Sequence, residues 1–172
     1  MKDLMIDIET LNTATTAAIL SIGAVYFDRR TGQTGGQFYA RICFADAVMH
    51  GTVSDDTLLW WSKQSMEARN EAFGGTESIH DVMEKFADFI KPDTEVWGNG
   101  SVFDITILEH WFNSCGKSIP WKFWNVRDVR TIVSWFNIDT RSYTREGVHH
   151  NALDDCLHQI KYMCGGANNG NL

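Results

Sequence analysis

Residues 3–9, DLMIDIE in one-letter code, alternate between two faces and predict a β-strand, with Asp7 and Glu9 on the same face as Met5. A strand rises ~3.3 Å per residue, so the two carboxylates lie about 6.6 Å apart along the backbone. Two ionised carboxylates at that spacing repel each other, and a shared metal ion removes the repulsion. The alternative is an edge strand with both carboxylates solvated. Taken alone, residues 3–9 leave both interpretations open.

Two more strands are predicted next, at residues 19–27 and 37–44. The residues between them are rich in Gly, Thr and Arg, which is typical of a hairpin turn, so we expect a three-strand antiparallel meander. Helices are predicted after residue 52, with two short strands between them. The predicted helices span residues 54–62, 65–72, 78–90, 102–115, 128–136 and 151–163, and the short strands span residues 94–98 and 121–126.

This order of elements predicts an α/β fold. Its sheet is mixed, with the antiparallel meander on one side and strands joined by helical crossovers on the other, and helices flank it. No repeat, linker or low-complexity block divides the chain, so residues 1–164 are predicted to form one domain. The last residues, 165–172 (GGANNGNL), are small and polar and are predicted to be a disordered tail.

Composition narrows the class of protein further. At 172 residues and 44% hydrophobic content, the chain is long and apolar enough for a packed core. The four cysteines form no CxxC pair, which favours reduced thiols over disulfides or zinc. No basic, apolar leader and no apolar run of ~18 residues is present, which predicts a cytoplasmic protein with no membrane partner.

The formal net charge of −7 disfavours binding to nucleic acid, because phosphates repel an acidic surface. The objection weakens if several carboxylates bind metal, since each divalent ion brings two positive charges to the place where a phosphate would sit. We therefore expect contacts along a strand to be confined to a small positive region.

A third carboxylate, Asp104, follows the short strand at residues 94–98 and falls in the first turn of the next helix. Loops at the C-terminal ends of strands are where ligands collect in open α/β folds. The alternative is that Asp104 only stabilises the helix N-terminus through the helix dipole. Considered alone, the position of Asp104 favours the second interpretation, in which it stabilises the helix N-terminus.

The stretch HHNALDD, residues 149–155, contains the remaining candidates, His150 and Asp155. Apolar residues between positions 153 and 164 give the following helix a core-facing side and place Asp155 in its second turn. A lone His is usually structural or solvent-facing, and a pair of Asp residues is usually on the surface. These residues gain meaning only in combination with the other motifs.

Three motifs in order give that combination: D-x-E-T at residues 7–10, F-D at residues 103–104, and H-x-A-x-x-D at residues 150–155. Together they resemble the motifs of the DEDDh 3′→5′ exonucleases, which have a ribonuclease H-like fold. The chain looks most similar to the phage and prophage branch that includes the nuclease domain of exodeoxyribonuclease VIII and small 3′→5′ exoribonuclease-like proteins. The supporting stretches are residues 5–10, 19–25, 59–61, 97–100 and 127–131.

The resemblance implies a catalytic set, which consists of Asp7, Glu9, Asp104, His150 and Asp155. It implies that Asp7, Glu9 and Asp155 bind one metal, and that Asp7 bridges to a second metal supported by Asp104. Oxygen ligands suit Mg²⁺ or Mn²⁺, two per active site, and disfavour zinc. His150, with an ordinary pKa of about 6.5, would accept the proton of the attacking water. The expected reaction releases nucleoside 5′-monophosphates from the 3′ end of single-stranded DNA or RNA.

The chain departs from proofreading relatives at the substrate contacts. Asn99 and Gly100 stand where those enzymes have His and Asn, and Leu11-Asn12 replaces Thr-Gly. We expect Thr10, Leu11 and Asn99 to contact the terminal nucleotide, with Leu11 acting either as a wedge against the base or as ordinary core.

Arginines and tryptophans add weaker candidates for contacts with the strand. Four arginines are either phosphate contacts or a solvated charged face: Arg127, Arg130, Arg141 and Arg145. Most tryptophans should be core. Trp60 and Trp61 are adjacent on a predicted helix and must point in different directions, so one of them could border the groove.

Three alternatives remain. The chain could be a catalytically inactive module of the same fold that binds nucleic acid or a partner, although none of the five residues is lost. It could be a subunit that works only in a larger assembly. A homodimer is also compatible with the sequence.

A second pair, His149 and Asp154, has the same spacing as His150 and Asp155 but lacks the Ala two residues after its His.

Overall fold

The structure is a computed structural model, and it describes residues 1–169. A five-stranded mixed sheet has the order β3-β2-β1-β4-β5. Strands β1 to β3 form the antiparallel meander, and β4 and β5 run parallel to β1. The strands are β1 (Asp3–Thr10), β2 (Ile19–Phe27), β3 (Thr34–Arg41), β4 (Glu95–Gly98) and β5 (Val126–Asp128). The predicted mixed α/β architecture is confirmed.

Helices surround this sheet. Ser65, Ser78 and Asp128 cap three of them by accepting a hydrogen bond from a backbone N–H in the first turn. The α-helices are α1 (Phe44–His50), α2 (Asp55–Ser62), α3 (Met66–Phe73), α4 (Ile79–Phe89), α5 (Ser101–Ser114), α6 (Val129–Trp135) and α7 (Ala152–Asn169). Single 3₁₀ turns lie at Phe123–Asn125 and Thr140–Ser142.

The alternation of β1 divides the core into two layers. Leu4, Ile6 and Ile8 belong to the layer that contains the buried residues of α4 and α5. Met5 belongs to the opposite layer, with the apolar residues of α6 and α7. Because Asp7 shares the face of Met5, it points toward α7.

Two strand boundaries differ from the sequence prediction. Strand β3 ends at Arg41, and the residues from Phe44 form helix α1, which the alternating pattern of residues 37–44 concealed. The strand predicted at residues 121–126 is shorter and later, at Val126–Asp128. Trp121 instead packs edge-on against Phe112, with a ring separation of 5.4 Å, and is core.

The predicted disordered tail is wrong for residues 165–169, because α7 continues to Asn169. A Cβ atom added at Gly165 would lie 2.9 Å from Tyr143, and one added at Gly166 would lie 2.6 Å from Ile138. The two glycines therefore allow close packing of the helix and do not end it. Residues 170–172, also assigned to the tail, lie outside the described residues.

Within residues 1–169, none of the helices combines the length and the apolar character needed to cross a bilayer. All four cysteines are free thiols, as predicted.

Candidate active site

The carboxyl ends of β1 and β4 meet at one edge of the sheet because these strands are parallel. Asp7 and Glu9 come from β1, and Asp104 comes from the first turn of α5, directly after β4. Together with His150 and Asp155 they line one cleft of ≈ 700 Å³. Five residues spread over most of the chain therefore reach one place.

Helix α7 reaches this edge through an unusually close approach to β2. Gly23 pairs with Asp7 across the sheet, and a Cβ atom at Gly23 would lie 2.3 Å from the backbone of Ala152. Only Gly on the strand lets the first turn of α7 lie so near. The contact places Asp155 beside β1, and Gln159, one turn later, donates a hydrogen bond to Asp7 Oδ1 at 2.8 Å.

His150 enters the cleft from the turn before α7. Its backbone has φ 61°, in the left-handed region that non-glycine residues rarely adopt. Asn151 follows it, and its Oδ1 accepts hydrogen bonds from Leu153 and Asp154 in the first turn of α7. The ring of Trp60 meets the imidazole edge-on at 4.7 Å. The potential ligand atoms of Glu9, His150 and Asp155 all lie within 4.8 Å of one another.

Burial dominates the electrostatics of the three carboxylates that line the sheet edge. Burial raises the pKa of Asp7 to about 7, although Gln159 and Arg145 act in the opposite direction. Burial and then the neighbouring charge of Asp7 raise the pKa of both Glu9 and Asp104 well above the ordinary value. These three carboxyl groups lie close together and lose their protons easily only if a positive charge is nearby. A divalent cation can supply that charge, and their oxygens are suitable ligands for it.

Arg145 supplies part of that counter-charge, which the sequence did not predict. Its guanidinium forms an ion pair with Asp155, and its charge also acts on Asp7 and Glu9. A cation bound by Asp155 must therefore compete with Arg145 for the same carboxylate.

Replacing Arg145 with Gln should tighten Mn²⁺ binding in the absence of nucleic acid by about tenfold, equivalent to ~1.4 kcal/mol for loss of a largely buried competing ion pair. Isothermal titration calorimetry measures the affinity. Arg141→Gln is the matched control, since Arg141 is exposed and pairs with Asp139 away from the cleft. Equal or weaker Mn²⁺ binding in Arg145→Gln would show that the guanidinium does not compete.

Of the predicted substrate contacts, Thr10 and Asn99 line the cleft and Leu11 does not. The Leu11 side chain is 0% exposed and belongs to the core below β1, so the wedge expected from it is wrong and the core alternative holds. Leu11 directly follows a register shift between Glu9 and Thr10 at the end of β1.

Trp60 and Trp61 point in different directions, as predicted. Trp61 is 2% exposed and donates a hydrogen bond from Nε1 to the carbonyl of Thr10 at 2.9 Å, whereas Trp60 is 40% exposed and lines the cleft. The prediction that most tryptophans are core is confirmed, since Trp61, Trp97, Trp111 and Trp121 are buried, while Trp60, Trp124 and Trp135 are exposed.

The arginines named as possible phosphate contacts also differ in whether they lie at the cleft. Arg130 lines the cleft and Arg145 reaches Asp155. Arg127 forms an ion pair with Glu95. Glu95 lies opposite Asp3 in the register of β1 and β4, at the start of both strands and at the far end from the cleft. Of the contacts that sequence reasoning missed, Gln159 had a usable signal, since it follows Asp155 by four residues on the same face of a helix.

Similarities to known proteins agree with this geometry. The family model described as the 3′-5′ exoribonuclease Rv2179c-like domain matches residues 2–165. An exodeoxyribonuclease of Enterobacteria phage T4 is 26% identical over 199 residues, which covers 95% of this chain and 88% of that protein.

Two solved structures share the fold. E. coli exonuclease I in complex with a dT13 oligonucleotide is 14% identical with a TM-score of 0.65, over 92% of this chain and 39% of that chain. This chain thus spans well under half of exonuclease I. The nuclease domain of 3′hExo, a DEDDh family member bound to rAMP, is 13% identical with a TM-score of 0.68, over 98% of this chain and 92% of that chain.

The family model covers nearly all of the residues that build the sheet, the cleft and the three motifs. This chain therefore belongs to the 3′-5′ exoribonuclease Rv2179c-like family, and it shares its fold with the nuclease domain of 3′hExo.

Proposed function

We propose that this 3′→5′ exonuclease removes nucleoside 5′-monophosphates from the 3′ end of single-stranded DNA or RNA, using two divalent cations and His150 as general base. The observation that carries the proposal is the convergence of four carboxylates and one imidazole in a single cleft. An arrangement of this kind serves phosphodiester hydrolysis because both the attacking and the leaving oxygen carry charge that cations stabilise.

Asp7, Glu9 and Asp155 are the proposed ligands of one cation, with Asp7 shared and Asp104 supporting a second. Carboxylate oxygens favour Mg²⁺ or Mn²⁺ over softer metals. When bound, such cations polarise the scissile phosphodiester and neutralise developing charge. Gln159 holds the orientation of Asp7 through the hydrogen bond to Oδ1, which keeps the other carboxylate oxygen free to act as a ligand.

His150 is the proposed proton acceptor. Burial and the positive charges of His149 and Arg145 lower its pKa below the ordinary 6.5, so the imidazole is neutral at pH 7. A neutral imidazole can take a proton, and an imidazolium cannot. The edge-on contact with Trp60 limits the orientations of the ring.

The form of the cleft supports a single-stranded substrate. Thr10, Asn99 and the half-exposed indole of Trp60 form walls around the carboxylates, and an unpaired terminal base could stack on an aromatic face without sequence preference. The names of the relatives point to both nucleic acids: the phage T4 protein is an exodeoxyribonuclease, and the family is named for exoribonuclease activity.

End-labelled oligonucleotides test the proposal. With Mg²⁺ or Mn²⁺, a 5′-labelled single strand should shorten stepwise, and a 3′-labelled one should release its label at once as a mononucleotide. DNA and RNA strands of the same sequence, with and without a complementary strand, give the substrate preference. Cleavage in EDTA, internal cuts without a ladder, or binding without any cleavage would contradict the proposal, and the last would favour the inactive binding module.

A further inference from the structure

We infer that a groove along α6, next to the cleft, binds nucleotides upstream of the two that flank the scissile bond, with Trp135 stacking on a base and Arg130 contacting a phosphate. The inference rests on the proposed function, since it assigns a path to the strand whose 3′ end lies at the carboxylates. The groove has a volume of ≈ 550 Å³. Its lining residues are Asp128, Arg130, Thr131, Ser134 and Trp135.

Arg130 joins the two sites, because its side chain lines both the cleft and the groove. The guanidinium lies over Gly100, where a Cβ atom would be 3.4 Å from Cζ. Gly100 has φ +109° and precedes α5, so any side chain there would be strained and would also crowd Arg130. A strand leaving the cleft past Asn99 would therefore meet this guanidinium first.

The donors of Arg130 are available for a ligand. Across the described part of the chain, its side chain takes part in no ion pair and donates no hydrogen bond, whereas Arg127 and Arg145 are both paired. A planar guanidinium with free donors is well suited to bidentate contact with a phosphate.

Asp128, the acidic residue in the groove, does not cancel this preference for an anion. Its Oδ2 accepts a hydrogen bond from the backbone of Ser101 at 2.6 Å, and its Oδ1 accepts one from the backbone of Thr131 at 3.0 Å. Burial acts to raise the pKa of Asp128, but these N–H groups at the starts of α5 and α6 engage both carboxylate oxygens and lower it overall. The carboxylate is thus engaged by the first turns of α5 and α6.

Trp135 offers the stacking surface. It is 80% exposed, while Val129, Ile132 and Val133 of the same helix pack toward α7. In residues 1–169 its indole has no aromatic partner, unlike Trp124, which meets Phe123 edge-on at 4.8 Å. An open indole beside an unpaired arginine and the hydroxyls of Thr131 and Ser134 matches the stacking and phosphate contacts of single-strand binding.

The groove lies beyond the two nucleotides that flank the scissile bond, so its contribution should depend on substrate length. A dinucleotide that occupies only the cleft should not reach Trp135. A longer strand should gain affinity from stacking, which is worth ~1–3 kcal/mol per base, or about 5- to 150-fold.

Fluorescence anisotropy with a labelled thymidylate octamer in EDTA tests the groove without cleavage. Trp135→Ala should weaken binding by about 5- to 150-fold. Trp124→Ala, the loss of another exposed tryptophan that lines neither the cleft nor the groove, should leave binding unchanged. Arg130→Gln should reduce the slope of log K against log salt concentration by about one unit.

Cleavage of a thymidylate dinucleotide with Mg²⁺ provides the second readout, and Trp135→Ala should cleave it at the wild-type rate. Octamer binding that is equal in Trp135→Ala and wild type would overturn the inference, as would an equal loss in Trp124→Ala. A dinucleotide rate that falls as much as octamer affinity would also overturn it. If the wild type binds the octamer through Trp135 but never shortens a strand from its 3′ end, the proposed function fails and the groove stands.

Discussion

Replacing Asp7 with Asn should abolish exonuclease activity and, in the absence of metal, make the protein more stable at pH 8. Asn keeps an Oδ1 that accepts the hydrogen bond from Gln159, but it cannot ionise. Activity should fall at least ~10³-fold, because loss of one preorganised electrostatic group already costs ~10²–10³. Gel analysis of a 5′-labelled strand measures the activity, and urea denaturation in EDTA measures the free energy of unfolding.

The sign of the stability change follows from the pKa of Asp7. Burial raises it from the ordinary 3.8 to about 7 in the folded protein, so the folded state binds this proton more tightly than the unfolded state. The free energy of unfolding should therefore fall as the pH rises from about 4 to about 7, and remain low above that. At ~1.4 kcal/mol per pKa unit, Asp7→Asn can recover at most about 4 kcal/mol at pH 8.

Asp154→Asn is the matched control. Asp154 is a carboxylate on the same helix as Asp155, but its Oδ2 accepts a hydrogen bond from the backbone of Val148, and it does not line the cleft. Its replacement should leave metal-dependent cleavage intact. Wild-type activity in Asp7→Asn, or lower stability than wild type at pH 8 in EDTA, would contradict the role given to Asp7.

Replacing His150 with Gln should lower kcat by about 10²- to 10⁴-fold, the usual contribution of a positioned general base, and leave Mn²⁺ affinity unchanged. The separation of the two effects matters because His150 lies as close to Glu9 and Asp155 as a ligand would. Single-turnover cleavage gives the rate, and calorimetry gives the affinity. His149→Gln, which changes the exposed neighbour, is the control and should keep both.

A loss of Mn²⁺ affinity in His150→Gln equal to that in a carboxylate variant would make His150 a ligand. An unchanged kcat would remove it as the base. At saturating Mn²⁺, which holds the ligand carboxylates ionised, the wild-type rate should also decline at pH values below the lowered pKa of His150, as the imidazole becomes protonated, and His150→Gln should lose that decline.

The parts of this site that follow the alternation of a strand or a sequence motif could be predicted from the sequence. The alternation of β1 gave the face of Asp7 and Glu9, and the choice of Asp155 over Asp154 rested on Ala152. The structure supplies the physical reason for that choice, which is the close approach of Ala152 to Gly23. A larger residue at either position would push α7, and Asp155 with it, away from β1.

Other features depend on tertiary contacts that no local pattern reveals. The ion pair of Arg145 with Asp155 joins a segment without regular periodicity to a helix. Leu11 is buried because the chain turns inward after β1, and Gly165 sits inside a helix because Tyr143 packs against it. In each case packing from a distant segment overrode the local preference.

Anomalous diffraction from crystals grown with Mn²⁺ and a nucleoside 5′-monophosphate tests the proposed two-cation site most directly. We expect two Mn²⁺ peaks in the cleft, the first in contact with Asp7, Glu9 and Asp155 and the second shared through Asp7 and supported by Asp104. We also expect Arg145 to leave Asp155. A single peak, or peaks that Asp7 does not contact, would rule out this arrangement.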